Sequence, residues 1–253
     1  MKNAVLLLAS AMLVGCRHDP PVEPEPLPPP GGTPSGVLRI TFRPIWDGTA
    51  FDKTNVYLSA ANERVLIQQV KFYLSPLVFS GDTTARATDA VLLDLVNGPE
   101  ARSYSLPVGT YDSLHYGLGL PYDLNHVDVT GIDPSSDLGA GSGMYWTWAT
   151  MYRFLIFEGR YDTDAAGTGT PPYQFSLHTG RDECYRERTI ATPLAMTDGD
   201  TTDLIIDVDV ARFFTDGNQL LDLSQGPQAH GEVENLGPAL RLSDLAVKAI
   251  NAE

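Results

Sequence analysis

Residues 144–159 read Met144-Tyr145-Trp146-Thr147-Trp148-Ala149-Thr150-Met151-Tyr152-Arg153-Phe154-Leu155-Ile156-Phe157-Glu158-Gly159. Side chains of a strand alternate between its two faces. Read as one long strand, Met144 to Glu158 places Met144, Trp146 and Trp148 on one face. Tyr145, Thr147 and Ala149 then fall on the other. The run holds two of the three tryptophans of the chain. A thioether and two indoles side by side form an oxidisable, soft-ligand surface.

Similar strand-like runs recur on both sides of this one, with turn residues between them. Val37 to Phe42 alternates. Leu66 to Phe79 alternates in part, with Val70, Phe72 and Leu74 on one face and Gln69, Lys71 and Tyr73 on the other. Val91 to Leu95 is short and apolar. Tyr111 to Leu120 groups Leu114, Tyr116 and Leu118. Tyr173 to His178, Arg186 to Leu194 and Asp203 to Val210 complete the set. Helical patterning is confined to a short stretch at Asp209 to Phe214 and a better one at Leu240 to Ile250, where Leu242, Leu245, Ala246 and Ala249 share a face. With 23 Gly and 19 Pro supplying turns, the pattern predicts a mainly β chain: an antiparallel β-sandwich or barrel-like single domain with one or two short helices.

The first residues are of another kind. Lys2 precedes the apolar run AVLLLASAMLV at residues 4–14, which is of signal-peptide length and short for a membrane span. Leu13-Val14-Gly15-Cys16 then reads as a bacterial lipobox, with small residues ahead of a cysteine. The expected organisation is a lipoprotein signal peptide at 1–15, a lipidated Cys16 with a Pro-rich tether at 16–36, and one β domain at 37–253. Several acyl chains anchor a protein to a membrane without a transmembrane helix. The tether, RHDPPVEPEPLPPPGGTPSG, has too little apolar surface to fold. The expected location is the bacterial cell envelope, lipid-anchored, in the periplasm or at the outer-membrane surface.

Seventeen Lys and Arg stand against 32 Asp and Glu, a formal net charge of −15. That balance argues against nucleic acid or an anionic surface as partner. Of the two cysteines, lipid takes Cys16 and leaves Cys184 unpaired in an oxidising compartment. Asp162-Thr163-Asp164-Ala165-Ala166-Gly167 resembles the start of a calcium loop but lacks its later acidic ligands, and reads as a solvated turn. There is no Gly-x-Ser-x-Gly, no phosphate-binding glycine loop, no His-Glu-x-x-His and no Cys-x-x-Cys. The remaining candidates for chemistry are histidines and soft groups. In Tyr173-Gln174-Phe175-Ser176-Leu177-His178-Thr179-Gly180, Phe175 and Leu177 share a face and His178 points away from it. This run follows the tryptophan strand across one loop, so the two are expected hairpin neighbours. An imidazole beside a soft or aromatic-derived donor suits copper.

Taken together, these residues resemble the MbnP-like copper-binding proteins, a methanobactin-associated periplasmic family. Its Met-x-Trp-x-Trp-x-x-x-Tyr strand ending at Glu-Gly is similar to Met144 to Gly159. Its Phe-x-x-His-x-Gly element is similar to Phe175 to Gly180. Tyr111 to Leu120, Gly119-Leu120-Pro121, Asn125, Val70 to Ser75 and Ile206 to Phe214 match further elements in order, over roughly residues 38 to 235. The resemblance implies copper bound by two histidines and a tryptophan oxidised to kynurenine, the oxidation being done by a MauG-like dihaem peroxidase. Carried onto this chain, His178 is the leading ligand, with His126 and His230 as candidates for the second, Met144 as a nearby soft group, and Trp146 or Trp148 as the oxidised residue. The expected function is copper acquisition, storage or delivery by a lipoprotein that is not an enzyme. The competing reading is a β-sandwich lipoprotein that binds a glycan or a protein through exposed aromatic residues. A hydrolase with Ser, His and Asp assembled by folding has the least support.

Overall fold

The computed structural model describes residues 33–146, 151–231 and 236–253. The expected signal peptide, Cys16 and Trp148 lie outside them, as does the tether up to Gly32. In chain order the described strands are β1 (Ser35–Trp46), β2 (Thr49–Ala50), β3 (Tyr57–Leu58), β4 (Arg64–Gly81), β5 (Thr84–Thr88), β6 (Val91–Asp94), β7 (Glu100–Pro107), β8 (Gly109–Leu118), β9 (Tyr145–Trp146), β10 (Met151–Asp162), β11 (Tyr173–Gly180), β12 (Arg186–Met196), β13 (Thr201–Asp209), β14 (Gln228–Ala229) and β15 (Ile250–Ala252). Helix α1 (Tyr122–Asn125) lies between β8 and β9, and α2 (Leu236–Ala246) precedes β15.

These strands form two sheets, neither a closed barrel, in a β-sandwich-like domain. The smaller has the order β15-β13-β1-β2, with β7 on the other side of β1. The larger runs β12-β8-β4-β10-β11-β14, with β3, β5 and β6 paired to β4 and β9 paired to β10. Its middle strands are buried on both faces. Along β4, Val70, Phe72 and Leu74 are covered, and so are Tyr73 and Ser75 opposite them. Along β1 only alternate residues, Leu38, Ile40 and Phe42 among them, are fully buried. This contrast follows from position: an inner strand has neighbours above and below, whereas an outer sheet wets one face.

Three expectations need correction. First, the sheets are mixed rather than purely antiparallel. β1 runs parallel to β13 and β11 runs parallel to β14. Both pairs join segments far apart in sequence, the long connection that parallel pairing requires. Second, Met144 to Glu158 is not one strand. The chain doubles back, with Trp146 paired to Met151 and Tyr145 to Tyr152. Met151 has φ +63°, a left-handed conformation that a continuous strand does not accommodate. Third, the expected helix from Leu240 begins at Leu236 and ends at Ala246, followed by a 3-10 turn over Val247–Ala249. Its buried face holds Leu242, Leu245 and Ala246 as the periodicity predicts. Its end is capped from outside: the Arg188 guanidinium donates to the carbonyls of Val247 (3.3 Å), Lys248 (2.8 Å) and Ile250 (2.9 Å). Such carbonyls have no partner within a helix.

The long segment from Pro121 to Gly143 is pinned to the sheet rather than left in solvent. Tyr73 Oη donates to the Asp137 carbonyl at 2.6 Å, and Tyr152 Oη to the Leu138 carbonyl at 2.6 Å. The Asp137 carboxylate accepts from Leu92 N at 2.9 Å. These bonds hold the segment over β4 and β10 and bring Met144 to Trp146 back across the sheet.

A histidine pair under an indole

Strand register assembles the site. In the β10–β11 pair, Glu158 lies opposite Ser176 and Ile156 opposite His178. In the β11–β14 pair, Ser176 lies beside Gln228 and Leu177 beside Ala229. Residues two apart share a face, so Glu158, Ser176 and Gln228 form one row across three strands. His178 follows Ser176 in the next row, and His230, just beyond β14, follows Gln228. Phe157, Phe175 and Leu177 take the opposite face and are buried. The two histidines thus arrive together although 52 positions separate them in the chain.

Glycine permits the close approach on which this register depends. A Cβ at Gly159 would meet the Leu66 carbonyl oxygen well inside contact distance and Phe175 Cε1 at 2.9 Å. A register shift between Arg153 and Leu155 against β11 marks a β-bulge. Arg153 and Glu158, five residues apart, would face opposite ways on a regular strand. The extra residue reverses that parity, a device that re-aims side chains beside functional sites. Arg153 Cζ lies 5.1 Å from the centroid of the Trp146 ring, within cation–π range, and the Arg153 guanidinium also donates to the Gly143 carbonyl.

The imidazoles of His178 and His230 have centroids 4.8 Å apart, edge to face. The Trp146 indole sits over both, at 5.8 Å from His178 and 6.2 Å from His230. On the far side, Glu158 Oε1 lies 2.6 Å from His178 Nε2. Ser176 Oγ donates to the same Oε1 at 3.0 Å. That hydroxyl oxygen is also 3.0 Å from His230 Nε2 and 3.2 Å from His178 Nε2. His178 is 6 % exposed, and its Nδ1 is buried without a hydrogen-bond partner. Burial lowers the His178 pKa below the usual imidazole value, against the opposing pull of Glu158; the ring is held neutral, the form that binds metals. A cleft of about 220 Å³ opens beside Glu158, Ser176 and His230.

Ser176, His178 and Glu158 are not arranged as a Ser–His–acid relay. A Ser–His–acid relay needs the serine at one ring nitrogen and the carboxylate at the other. Here Ser176 and Glu158 both meet His178 at Nε2. Among the described residues, no three His, Cys, Asp or Glu side chains form a group that holds a metal by themselves. The donors present are two imidazoles under an aromatic lid.

The other candidate residues lie elsewhere. His126 Nε2 is 3.0 Å from Asp182 Oδ2, and its ring stacks on Tyr122 at 4.1 Å. Asn125, beside it, is buried, donating to Asp182 at 2.9 Å and accepting from Tyr152 N at 3.2 Å. That cluster fastens α1 to the ends of β10 and β11. Met144 is fully buried in the hydrophobic core. Cys184 is also fully buried, which pushes its thiol pKa up and removes it from intermolecular disulfide exchange. Sequence reading missed Glu158, Ser176 and Arg153 as members of the site. The signal for one of them was present: Ser176-x-His178 and Gln228-x-His230 have the same spacing, and Ser176 and His178 share a strand face.

The comparisons with known proteins bear on the family and the fold. The MbnP family model matches residues 35–231. Among solved structures, "MbnP from Methylosinus trichosporium" is similar with a TM-score of 0.50 and 14% identity, covering 86% of this chain and 99% of that one. At that identity the likeness speaks for the fold. A comparison with curated proteins finds no significant match. With the family model spanning most of the folded domain, the chain belongs to the MbnP family.

Proposed function

We propose that this protein binds copper between His178 and His230 and carries it, without catalysing a reaction, in copper acquisition, storage or delivery. The observation that carries the reading is the histidine pair, of which His178 is buried with its Nδ1 lacking a hydrogen-bond partner. An imidazole nitrogen kept neutral by burial is a ligand ready for a borderline or soft ion. The link of the MbnP family to copper and methanobactin supports the choice of metal.

The Trp146 indole supplies the third side of the site. An intact indole coordinates poorly, whereas kynurenine offers an aniline nitrogen. Its formation breaks the indole C2–C3 bond with one oxygen added to each carbon. Hydrolysis then releases formate, and hydrogen peroxide is reduced to water by a MauG-like dihaem peroxidase as the oxidising partner. Trp148, the other candidate for oxidation, lies outside the described residues. Lipid attachment at Cys16 places the domain in the bacterial envelope, in the periplasm or at the outer-membrane surface. No helix among the described residues is long and apolar enough to cross a membrane.

A glycan platform needs exposed aromatic faces. Trp46 is 9 % exposed and stacked on Tyr57, and Trp146 is turned toward the histidines. Copper between the imidazoles uses this arrangement better. The test is metal analysis and intact mass of protein from its native host, with the Trp146 peptide mapped, followed by copper titration of H178A and H230A. Near-stoichiometric copper in the native protein and its loss in both variants is the expected result. An H178A variant that binds copper as tightly as the parent sinks the assignment. Trp146 at its unmodified mass in copper-loaded native protein removes the kynurenine from that position.

A further inference from the structure

Resting on the copper reading above, we infer that Glu158 and Ser176 are positioning residues that fix both imidazoles as Nε2–H tautomers, so that His178 meets the metal through Nδ1. The argument follows the protons. A carboxylate has acceptor sites only, so the 2.6 Å contact between Glu158 Oε1 and His178 Nε2 places a proton on that nitrogen. In a neutral ring the lone pair is then on Nδ1, the atom left buried and unpartnered. Such an orphan is costly in a folded protein unless something not seen in the chain itself completes it.

Ser176 extends the same ordering to the second ring. Its single hydroxyl proton has three nearby acceptors or donors to choose from: Glu158 Oε1 at 3.0 Å, His230 Nε2 at 3.0 Å and His178 Nε2 at 3.2 Å. A bond to an ionised acceptor is roughly twice as strong as a neutral one, so the proton goes to Glu158. The Ser176 oxygen is then an acceptor, and His230 Nε2 supplies the proton. One carboxylate therefore orders both rings, directly at His178 and through one hydroxyl at His230. The row geometry makes this possible, because Glu158 and Ser176 are directly opposed on β10 and β11.

The test begins with the metal-free protein. Histidine-labelled protein is examined by two-bond proton–nitrogen correlation, which separates the two tautomers by the shifts of their ring nitrogens. Both His178 and His230 are expected as Nε2–H. Ser176→Ala should release His230 from that form and leave His178 in it. Glu158→Ala should release both, and Glu158→Gln, which keeps a carbonyl acceptor, should restore His178. A native spectrum with the His178 proton on Nδ1, or variants that leave both rings unchanged, overturns the relay. Cu(I) is then added to the same samples. The expected change is at the His178 Nδ1 resonance, with copper affinity about 10–100-fold weaker in Glu158→Ala. A change at Nε2 overturns the coordination assignment. No copper uptake by a native protein whose tautomers are as stated overturns the copper reading and the coordination built on it, while the ordering of the rings stands.

Discussion

Replacing Gly159 by alanine tests the link between strand packing and the histidine site. A Cβ there would press on the Leu66 carbonyl oxygen, on Phe175 Cε1 at 2.9 Å and on Ile67 Cα at 3.1 Å. Carbon atoms normally rest about 3.5–4.0 Å apart. The Phe175 ring can shift, but the Leu66 oxygen and Ile67 Cα are backbone atoms of β4. Relief therefore requires β10 to draw away from β4 by on the order of an ångström where the pair already has a register shift, between Glu158 and Gly159. Overpacking of this kind costs about 1–3 kcal/mol. For a domain of this size, about 2 kcal/mol lowers Tm by roughly 4–8 °C. Because Glu158 is the adjacent residue, its 2.6 Å bond to His178 lengthens as well, and copper affinity falls with stability. The assay is urea unfolding followed by tryptophan fluorescence, paired with copper titration of the folded variant. Gly131→Ala is the control, since a Cβ there meets nothing within 4 Å; its effect should stay within about 0.5 kcal/mol. If G159A matches the parent in both stability and copper affinity, the close approach at Gly159 is not what fixes Glu158.

Two further outcomes follow from packing away from the site. The Tyr116 hydroxyl is buried and donates to the carbonyls of Val247 at 2.8 Å and Ile250 at 3.2 Å, so Tyr116→Phe should destabilise the domain by about 1–2 kcal/mol in urea unfolding; no change would mean that Arg188 alone satisfies those carbonyls. Cys184 is fully buried with its thiol pKa pushed up, so a thiol-reactive dye should label it only after unfolding. Rapid labelling of the folded protein would show that the α2 face against β11 opens freely.

How much of this was legible in the sequence differs from element to element. Alternation located most long strands, because a half-buried strand writes its buried face into every second residue, as Leu38, Ile40 and Phe42 do in β1. β7 went unread, since its Glu100–Pro107 residues are mostly half-exposed and an edge strand needs no apolar face. The strand at Asp203 to Val210 was read, but the parallel pairing of β13 with β1 and of β14 with β11 was not legible, because pairing is a relation between distant segments that neither segment records. The tryptophan run was misread for a local reason: Met151 has a positive φ, and nothing in the residue type of methionine announces it.

The same division runs through the site. Sequence alone determined the chemistry available to this protein: an acidic mainly β chain, few histidines, aromatic residues gathered around 144–159 and no catalytic motif. It singled out His178 through the resemblance of Phe175 to Gly180 to the family's Phe-x-x-His-x-Gly element, with the residue opposite the apolar face of its own strand. It left His126 and His230 as candidates for the second ligand, with Met144 as a nearby soft group. Only the tertiary structure brought His230 beside His178, by laying β14 parallel to β11 so that Gln228 and Ser176 share a row. Only the structure placed Glu158 against the His178 ring and carried Arg153 across the strand to the Trp146 face. The physical reason is that residue type and periodicity are local properties, whereas a ligand pair and its hydrogen-bond partners are set by register between strands, where a shift of one residue turns every side chain to the other face.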